Sequence, residues 1–238
     1  MNMKAKTVIL TIIITAVILG VAFFIYVGNY YHADEKALAA MESGEAVTVN
    51  ETGYGWLFDG PSEKDALIFY PGGKIEARVY APLCRALAES GMDVCLVKMP
   101  FNLAFFGMNK ADEIIGNNGY EHYYIGGHSL GGVFAAEYAS ENSEKIDGLI
   151  MLAAYSASEI ESGTETILIY GSEDKVLNLE KYHESFSNLP GDAEEHIIPG
   201  GNHAQFGSYG AQKGDGEAAI TPEMQIEETV EIIIKKVF

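Results

Sequence analysis

The sequence contains few cysteines and no motif that would hold a metal ion or a nucleotide. Its only cysteines are Cys84 and Cys95. Each lies among apolar neighbours, Cys84 in a predicted helix and Cys95 in a predicted strand, so we expect buried free thiols. An extracytoplasmic compartment would also permit a disulfide. No metal-ligand spacing, phosphate-binding Gly-Lys-Ser/Thr or dinucleotide fingerprint occurs, so the sequence predicts neither a metal site nor a cofactor.

Basic residues are also scarce. The chain has 15 Lys and Arg against 34 Asp and Glu, a net charge of −19. Lys4 and Lys6 precede an apolar N-terminal run, so the rest of the chain carries 13 basic and 34 acidic residues and a net charge of −21. This charge repels nucleic acid and anionic lipid headgroups, which we therefore do not expect as ligands, and it favours solubility. Nothing in the sequence indicates a protein partner.

The N-terminal run is a long segment without charge. Residues 7–27 contain no charged side chain, and at about 1.5 Å per residue a helix of this length spans the roughly 30 Å hydrocarbon core of a bilayer. The run is longer than the apolar region of a typical signal peptide, and no Ala-x-Ala site follows it. We therefore expect an uncleaved membrane anchor in residues 1–30, with a transmembrane helix over 7–27.

The charges that flank this helix predict its orientation. Lys4 and Lys6 precede the helix, whereas His32, Asp34 and Glu35 follow it. By the positive-inside rule, we expect the N-terminus in the cytoplasm and the rest of the chain outside the cell membrane of a bacterium.

After the anchor, strand-like and helix-like segments alternate along the chain. Residues 31–44 are expected to form a linker, and residues 45–238 a single domain. Apolar runs predict eight strands at about 46–50, 54–58, 66–70, 93–99, 121–126, 146–154, 166–170 and 194–198. Amphipathic patterns predict helices at about 76–90, 107–116, 130–141, 175–189 and 220–237. Because strands that alternate with helices form parallel sheets, we expect a mostly parallel eight-stranded α/β sheet with helices on both faces.

A serine lies between glycines where the fifth strand is expected to end and a helix to begin. The pattern is Gly127-x-Ser129-x-Gly131. On so tight a turn the serine must adopt a strained backbone, and side chains at the flanking positions would clash with the neighbouring strand and helix. The serine hydroxyl would then lie at the edge of the sheet, beside the free N–H groups of the helix N-terminus. This context favours a nucleophile over a plain Gly-Ser turn.

A serine nucleophile needs a base, and His203 is the histidine best placed for that role. It follows the last strand, in a loop at the C-terminal edge where open α/β sheets place their ligands. The other histidines lie beside the membrane, within strands, within a helix or, for His128, in the serine turn itself.

An acid that orients the base is expected after the seventh strand, at the same edge of the sheet. Glu173 and Asp174 both lie there, and either carboxylate could reach the base. We favour Asp174, because it lies deeper in the turn and its shorter side chain holds an imidazole more rigidly. The alternative role for both residues is capping of the following helix.

With Ser129, Asp174 and His203 in this order, the chain resembles the α/β-hydrolases. The resemblance covers residues 45–238 and rests on the Gly-His-Ser-Leu-Gly-Gly turn, the acid after the seventh strand and the histidine after the last. More narrowly, the chain is similar to the small lid-less hydrolases related to dienelactone hydrolase. That enzyme has a cysteine in place of Ser129, so its substrate is not carried over.

The resemblance also implies an oxyanion hole. One donor is the N–H of Leu130, and the other comes from the loop after the third strand. By alignment of Pro71-Gly72 with the family's His-Gly this donor is Gly73, but the proline departs from the family pattern and leaves Lys74 as the alternative.

Little chain is available to cover the expected site. Only residues 155–165 follow the sixth strand, where many relatives insert a lid, and an open cleft suits a soluble or bulky polar ester. Candidates for the lining of the cleft are Lys74, Phe105, Phe106, His128 and Gln205. Core packing would explain the aromatic residues equally well.

The sequence thus predicts a membrane-anchored, cofactor-free serine hydrolase that cleaves a small-molecule carboxylic ester or related acyl bond through an acyl-enzyme intermediate. Within the same enzyme class, peptidase, thioesterase and acyltransferase activities stay open. From a different class, the domain could be an inactive hydrolase fold that serves as a surface binding module.

Overall fold

The computed structural model describes residues 3–61 and 64–238. The chain divides into two compact units, one that ends at Tyr30 and one that comprises Tyr31–Phe238. Helix α1 (Met3–Gly28) forms the first unit. Its segment Lys6–Gly28 reaches a mean hydropathy of 3.0, so by length and composition it could cross a membrane, although a signal sequence would meet the same criteria. The prediction of a long apolar helix over 7–27 is confirmed.

The second unit contains a sheet of eight strands, as predicted. The strands are β1 (Thr48–Glu51), β2 (Gly55–Asp59), β3 (Asp65–Tyr70), β4 (Asp93–Val97), β5 (His122–His128), β6 (Gly148–Leu152), β7 (Glu165–Gly171) and β8 (Glu194–Ile198). Their spatial order is β1-β2-β4-β3-β5-β6-β7-β8. The hairpin β1–β2 and the pair β2–β4 are antiparallel, and every other pair is parallel. The prediction of a mostly parallel sheet is therefore confirmed.

The central strands are buried on both faces. Every residue of β3, β4 and β6 is buried, which is why these strands appear in the sequence as continuous apolar runs rather than as alternating patterns. Helices cover the two faces of the sheet: α2 (Glu35–Ala40), α3 (Ala81–Glu89), α4 (Lys110–Asn117), α5 (Leu130–Glu141), α6 (Leu179–Glu184) and α7 (Pro222–Val237). Cys84 and Cys95 are buried free thiols within this core, as expected.

The expected linker over residues 31–44 is instead part of the folded second unit. Tyr31 forms a parallel bridge with Ile75, and Asp34 begins α2 by accepting a hydrogen bond from the Ala37 N–H. The side chain of Ala37 is fully buried. The correction has a simple cause: a helix of six residues is too short to produce a clear helical period, and the bridge depends on a partner far along the chain.

The helix predicted over 175–189 is also shorter than expected. The Asp174 carboxylate accepts hydrogen bonds from the Val176 and Leu177 N–H groups, which holds this stretch as a turn. Asn178 then caps α6 by accepting a hydrogen bond from the Lys181 N–H. The helix therefore begins only at Leu179.

Candidate active site

Ser129 occupies the turn between β5 and α5 with an unusual backbone. Its φ is 51° and its ψ is −124°, and its N–H donates to the Leu152 carbonyl over 2.9 Å. The left-handed φ is uncommon for a residue with a side chain, and strain of this kind is concentrated at functional turns. The predicted strained serine is thus present where β5 ends.

Two glycines allow this turn to pack against the end of β3. A Cβ atom at Gly127 would lie 2.5 Å from the Tyr70 carbonyl oxygen, and one at Gly131 would lie 2.1 Å from the same oxygen. Neither distance is sterically allowed, so the predicted reason for both glycines is confirmed. The close approach brings the first turn of α5 against the loop that follows β3.

His203 and Asp174 form a buried pair on the neighbouring loops. Nδ1 of His203 lies 2.7 Å from Oδ2 of Asp174, and the two side chains are 1% and 0% exposed. The other Asp174 oxygen accepts the Val176 and Leu177 N–H groups at 2.8 Å each, so the carboxylate acts as an acceptor toward the groups around it. The ring must therefore donate from Nδ1, which leaves the lone pair of Nε2 as its acceptor.

The structure separates the two candidate acids. Glu173 is half-buried, and its carboxylate accepts a hydrogen bond from the Ser172 hydroxyl. Asp174 alone of the two contacts His203. The shorter, deeper residue is thus the one in position.

Ser129 and His203 line one cleft of about 220 Å³ at the C-terminal edge of the sheet. Leu130, Val133 and Tyr155 also contribute to its walls. Nε2 of His203 is buried, and in the described part of the chain it has no hydrogen-bond partner. A buried acceptor without a partner is costly, which marks this atom as one held ready for a proton.

Among Gly72, Gly73 and Lys74, which follow β3, one backbone donor is free. The Gly72 N–H donates to the Tyr80 hydroxyl over 3.1 Å, and the Lys74 N–H donates to the Asn102 carbonyl over 2.7 Å. Between them, the Gly73 N–H donates to no acceptor within residues 3–61 and 64–238. A Cβ atom at Gly73 would lie 2.7 Å from Cδ2 of Leu130, so the two residues are adjacent. Of the two alternatives that the sequence left open, only Gly73 keeps its N–H available.

His128 is placed differently from the expectation that it lines the cleft. It is fully buried behind His203, with the two ring centroids 4.5 Å apart. Burial, and after it the nearby His203, lowers the pKa of His128 well below its ordinary value, so the ring is neutral. His128 therefore packs against His203 from within the core and does not line the cleft.

Tyr80 was missed by the sequence reasoning, and it joins His128 to the loop after β3. The two side chains are linked by a hydrogen bond of 2.7 Å between the Tyr80 hydroxyl and Nδ1 of His128. Burial raises the pKa of Tyr80, so the hydroxyl keeps its proton. The same hydroxyl accepts the Gly72 N–H, so Tyr80 bonds both to His128 and to the loop after β3. Nothing in the sequence distinguishes Tyr80 from an ordinary core tyrosine.

The other candidate lining residues lie outside this cleft. Phe105 and Phe106 are 63% and 45% exposed, in a short 3₁₀ turn, Ala104–Phe106, after β4. Gln205 lines a separate cavity of about 520 Å³ on the far side of the His203 loop, and its Nε2 donates to the Ile220 carbonyl. Lys74 has a φ of 59° and follows Gly73. The structure brings none of these four side chains into the walls described for the cleft.

A second missed residue, Asp215, holds the His203 loop in place. Its carboxylate accepts hydrogen bonds from the N–H groups of His203 at 3.3 Å, Ala204 at 2.9 Å and Gly216 at 2.8 Å. Asp215 thus fixes the backbone at both ends of the segment between His203 and Gly216. Within the described residues, no cluster of three or more His, Cys, Asp or Glu side chains could hold a metal ion.

Comparison with known proteins identifies the fold family of this domain. Residues 66–227 match the family model described as "Alpha/beta hydrolase family". No curated protein sequence matched the chain.

Several solved structures share the fold. A CIB-like hydrolase from Thermoplasma acidophilum is 17% identical, with a TM-score of 0.59, over 81% of this chain and 100% of that one. The monoacylglycerol lipase of Paleococcus ferrophilus is 15% identical, with a TM-score of 0.60, over 81% and 100%. Est1E from Butyrivibrio proteoclasticus is 14% identical, with a TM-score of 0.55, over 81% and 99%. At these identities the likeness concerns the fold.

Proposed function

The chain belongs to the alpha/beta hydrolase family, and we propose that it hydrolyses a carboxylic ester with Ser129 as nucleophile, His203 as base and Asp174 as the residue that orients the base. One observation carries this proposal. The buried His203–Asp174 pair presents an unpartnered Nε2 in the same cleft as the strained Ser129. An inactive binding module would have no need for a buried acceptor of this kind.

The reaction proceeds in two acyl transfers. Ser129 Oγ attacks the ester carbonyl carbon while Nε2 of His203 takes the hydroxyl proton, and Asp174 stabilises the imidazolium that forms. The oxyanion accepts hydrogen bonds from the N–H groups of Gly73 and Leu130. Collapse of the intermediate expels the alcohol, which receives the proton from His203. Water, deprotonated by the same ring, then attacks the acyl-enzyme and releases the carboxylic acid.

The choice of an ester over another acyl bond is supported by the named relatives. One similar structure is a monoacylglycerol lipase, and one structure of Est1E holds ferulic acid. Both names indicate carboxylic acids or their esters. This chain is proposed to act on the same class of bond.

We further propose that α1 anchors the enzyme in the cell membrane and leaves the hydrolase domain outside the cytoplasm. The apolar segment Lys6–Gly28 is long enough to span a bilayer. Lys6 lies at its start, and Asp34 and Glu35 follow its end, which fits the positive-inside rule. Protease added to intact cells should cleave the domain, and a domain that stays uncut while lysed cells lose it would contradict this orientation.

Labelling with a fluorophosphonate probe tests the nucleophile directly. The wild-type chain should be labelled, and Ser129→Ala should not. Ser140→Ala is a matched control, because Ser140 lies on the same helix and its hydroxyl donates to the Glu159 carbonyl at the protein surface. Labelling of Ser129→Ala, or no labelling of the wild type, would reject the proposed nucleophile.

A further inference from the structure

The chain enters the hydrolase domain beside the proposed oxyanion loop. The N–H of Tyr31 donates to the Lys74 carbonyl over 2.9 Å, and the Glu76 N–H donates to the Tyr31 carbonyl over 2.9 Å. Lys74 directly follows Gly73. Tyr31, the first residue of the domain, is therefore bonded to the sheet edge at which the cleft lies.

The connection between anchor and domain is very short. Helix α1 ends at Gly28, and only residues 29 and 30 precede Tyr31. At no more than about 3.3–3.6 Å per residue, three steps of extended chain reach about 10 Å. If α1 spans the bilayer, Tyr31 and the Lys74 segment bonded to it must lie close to the lipid surface, whatever the orientation of the domain.

The loop after β4 exposes three phenylalanine side chains at this edge. Phe101, Phe105 and Phe106, hereafter the aromatic loop, are 45%, 63% and 45% exposed. The ring of Phe106 contacts those of Phe101 and Phe105, with centroids 5.5 Å and 5.2 Å apart. Exposed aromatic groups that lie together mark a surface that binds something apolar.

The aromatic loop is fixed to the point where the chain enters the domain. The Asn102 carbonyl accepts the Lys74 N–H over 2.7 Å, so the loop is bonded to the strand segment that pairs with Tyr31. Phe101 and Asn102 adopt left-handed φ values of 57° and 55°. Two consecutive strained residues indicate that the loop is held in this shape by its surroundings.

The charge around the aromatic loop differs from that of the domain as a whole. Lys74 is bonded to the loop, Lys98 precedes it, and the Lys110 ammonium donates to the Lys98 carbonyl over 3.1 Å. Three of the 13 basic residues outside the anchor thus lie on the segments next to this loop, in a part of the chain with a net charge of −21. The Lys98 ammonium itself lies over the Trp56 ring, 5.9 Å from its centroid. Lysines around exposed aromatic side chains are typical of surfaces that lie in a membrane interface.

The aromatic loop contacts the helix that contributes to the wall of the cleft. The rings of Phe105 and Phe134 are neighbours, with centroids 6.1 Å apart. Phe134 follows Val133 on α5, and Val133 lines the cleft with Ser129. The aromatic loop and the cleft thus share helix α5, which places Phe105 on the side of the domain where Ser129 lies.

We propose that the aromatic loop inserts into the lipid interface of the membrane that holds α1, and that the cleft takes esters of amphiphiles lying in that membrane. The proposal rests on the proposed anchoring and ester hydrolysis, and it narrows their substrate class. It replaces the expectation of a soluble ester: the open cleft needs no lid because the membrane itself covers it. The many acidic residues of the domain repel anionic lipid, so the rest of its surface stays away from the membrane.

Insertion is tested without reference to activity. Trp56 is the only tryptophan, so Phe105→Trp and Phe238→Trp are each made in a Trp56→Phe background. The full chain is reconstituted through α1 into phosphatidylcholine vesicles, with and without lipids brominated on their acyl chains. Phe238 is the matched control. It is also 63% exposed, and it follows α7, whose Lys236 bonds to Glu194 at the opposite edge of the sheet.

Brominated lipid should quench the fluorescence of the Phe105→Trp variant at least about twofold more than that of the Phe238→Trp variant, because quenching requires contact with the acyl chains. Equal quenching of the two variants would overturn the proposal. Loss of insertion would not affect the assignment of Ser129, which the fluorophosphonate probe tests separately.

Substrate access is tested with two esters in the same vesicles. Wild-type, Phe105→Glu and Phe238→Glu chains are assayed on p-nitrophenyl palmitate carried in the bilayer and on p-nitrophenyl butyrate in solution. Phe105→Glu should lower the ratio of palmitate to butyrate hydrolysis about tenfold, whereas Phe238→Glu should leave the ratio as in the wild type. An unchanged ratio in Phe105→Glu would overturn the substrate class. Hydrolysis of neither ester by the wild type would instead reject the proposed esterase function.

Discussion

Two loops at the same edge of the sheet differ in how deeply their phenylalanine side chains are buried. The His203 loop, residues 199–216, contains Phe206, which is fully buried, whereas the aromatic loop contains Phe105, which is 63% exposed. Gln225 and Asp215 hold the His203 loop through hydrogen bonds to its backbone. The first loop is built to fix a histidine, and the second presents apolar surface.

The difference shows how one edge of a sheet meets two requirements. Proton transfer needs an imidazole held in one orientation, and burial together with backbone hydrogen bonds supplies that order. Capture of an apolar substrate needs accessible surface, which a packed loop cannot offer. Substitutions on the fixed side of the cleft should therefore impair catalysis or stability, whereas substitutions on the exposed side should affect neither strongly.

Removal of the nucleophile should have the largest effect. Ser129→Ala is expected to lower kcat by about 10⁶-fold, as in serine hydrolases generally, because the acyl-enzyme cannot form. The measurement is steady-state hydrolysis of p-nitrophenyl butyrate. Residual activity within tenfold of the wild type would mean that another group attacks the ester.

Replacing the acid should have the next largest effect. In Asp174→Asn the side-chain amide would face Nδ1 of His203, which forces the proton onto Nε2 and removes the base, so kcat should fall about 10⁴-fold. Glu173→Gln is the control, since the Glu173 carboxylate accepts a hydrogen bond from Ser172 and none from His203. Equal losses in the two variants would contradict the assignment of Asp174.

Alanine substitutions of Phe206 and Phe105 test directly whether the His203 loop is packed and the aromatic loop is exposed. Phe206→Ala should lower the free energy of unfolding by about 3–5 kcal/mol, because it leaves a cavity beside His128. Phe105→Ala should change it by no more than about 0.5 kcal/mol, because the ring is largely in solvent. Urea unfolding of the full chain in detergent micelles measures both. Similar losses would show that the aromatic loop is packed and not open.

The buried His128 predicts the smallest effect, a dependence of stability on pH. Its pKa in the folded chain lies well below the ordinary 6.5, because burial disfavours the charged ring. Below pH 6.5 the unfolded chain binds a proton that the folded chain does not, so stability is complete above this pH and falls as the pH decreases.

The loss due to His128 is at most about 1.4 kcal/mol per pH unit. In His128→Gln, the free energies of unfolding measured in urea at pH 7.5 and pH 5.5 should differ less than in the wild type. Gln does not titrate, and its side chain can still form a hydrogen bond with the Tyr80 hydroxyl. An identical pH dependence in the variant and the wild type would mean that other groups cause it.

The fold was largely predictable from sequence because its signals are local. Each buried parallel strand is a continuous apolar run, and the glycines around Ser129 mark the turn by their spacing alone. The order of Ser129, Asp174 and His203 along the chain then placed all three at one sheet edge, where the structure has them.

Other features depended on contacts between distant segments. The Lys74 N–H is unavailable as an oxyanion donor only because it donates to the Asn102 carbonyl, whereas the Gly73 N–H is free among the residues that the structure describes. His128 and Tyr80 lie 48 residues apart, and no pattern links them. Residues 31–44 look like a linker until Tyr31 pairs with Ile75.

The strands, the strained serine turn and the apolar N-terminal helix can be predicted from the amino-acid order, because each follows from the chemistry of neighbouring residues. The acid that contacts His203, the backbone donor that stays free and the phenylalanines that face solvent are defined by the folded chain. Those outcomes depend on contacts between residues that lie far apart in the chain, and the pattern of neighbouring residues does not contain that information.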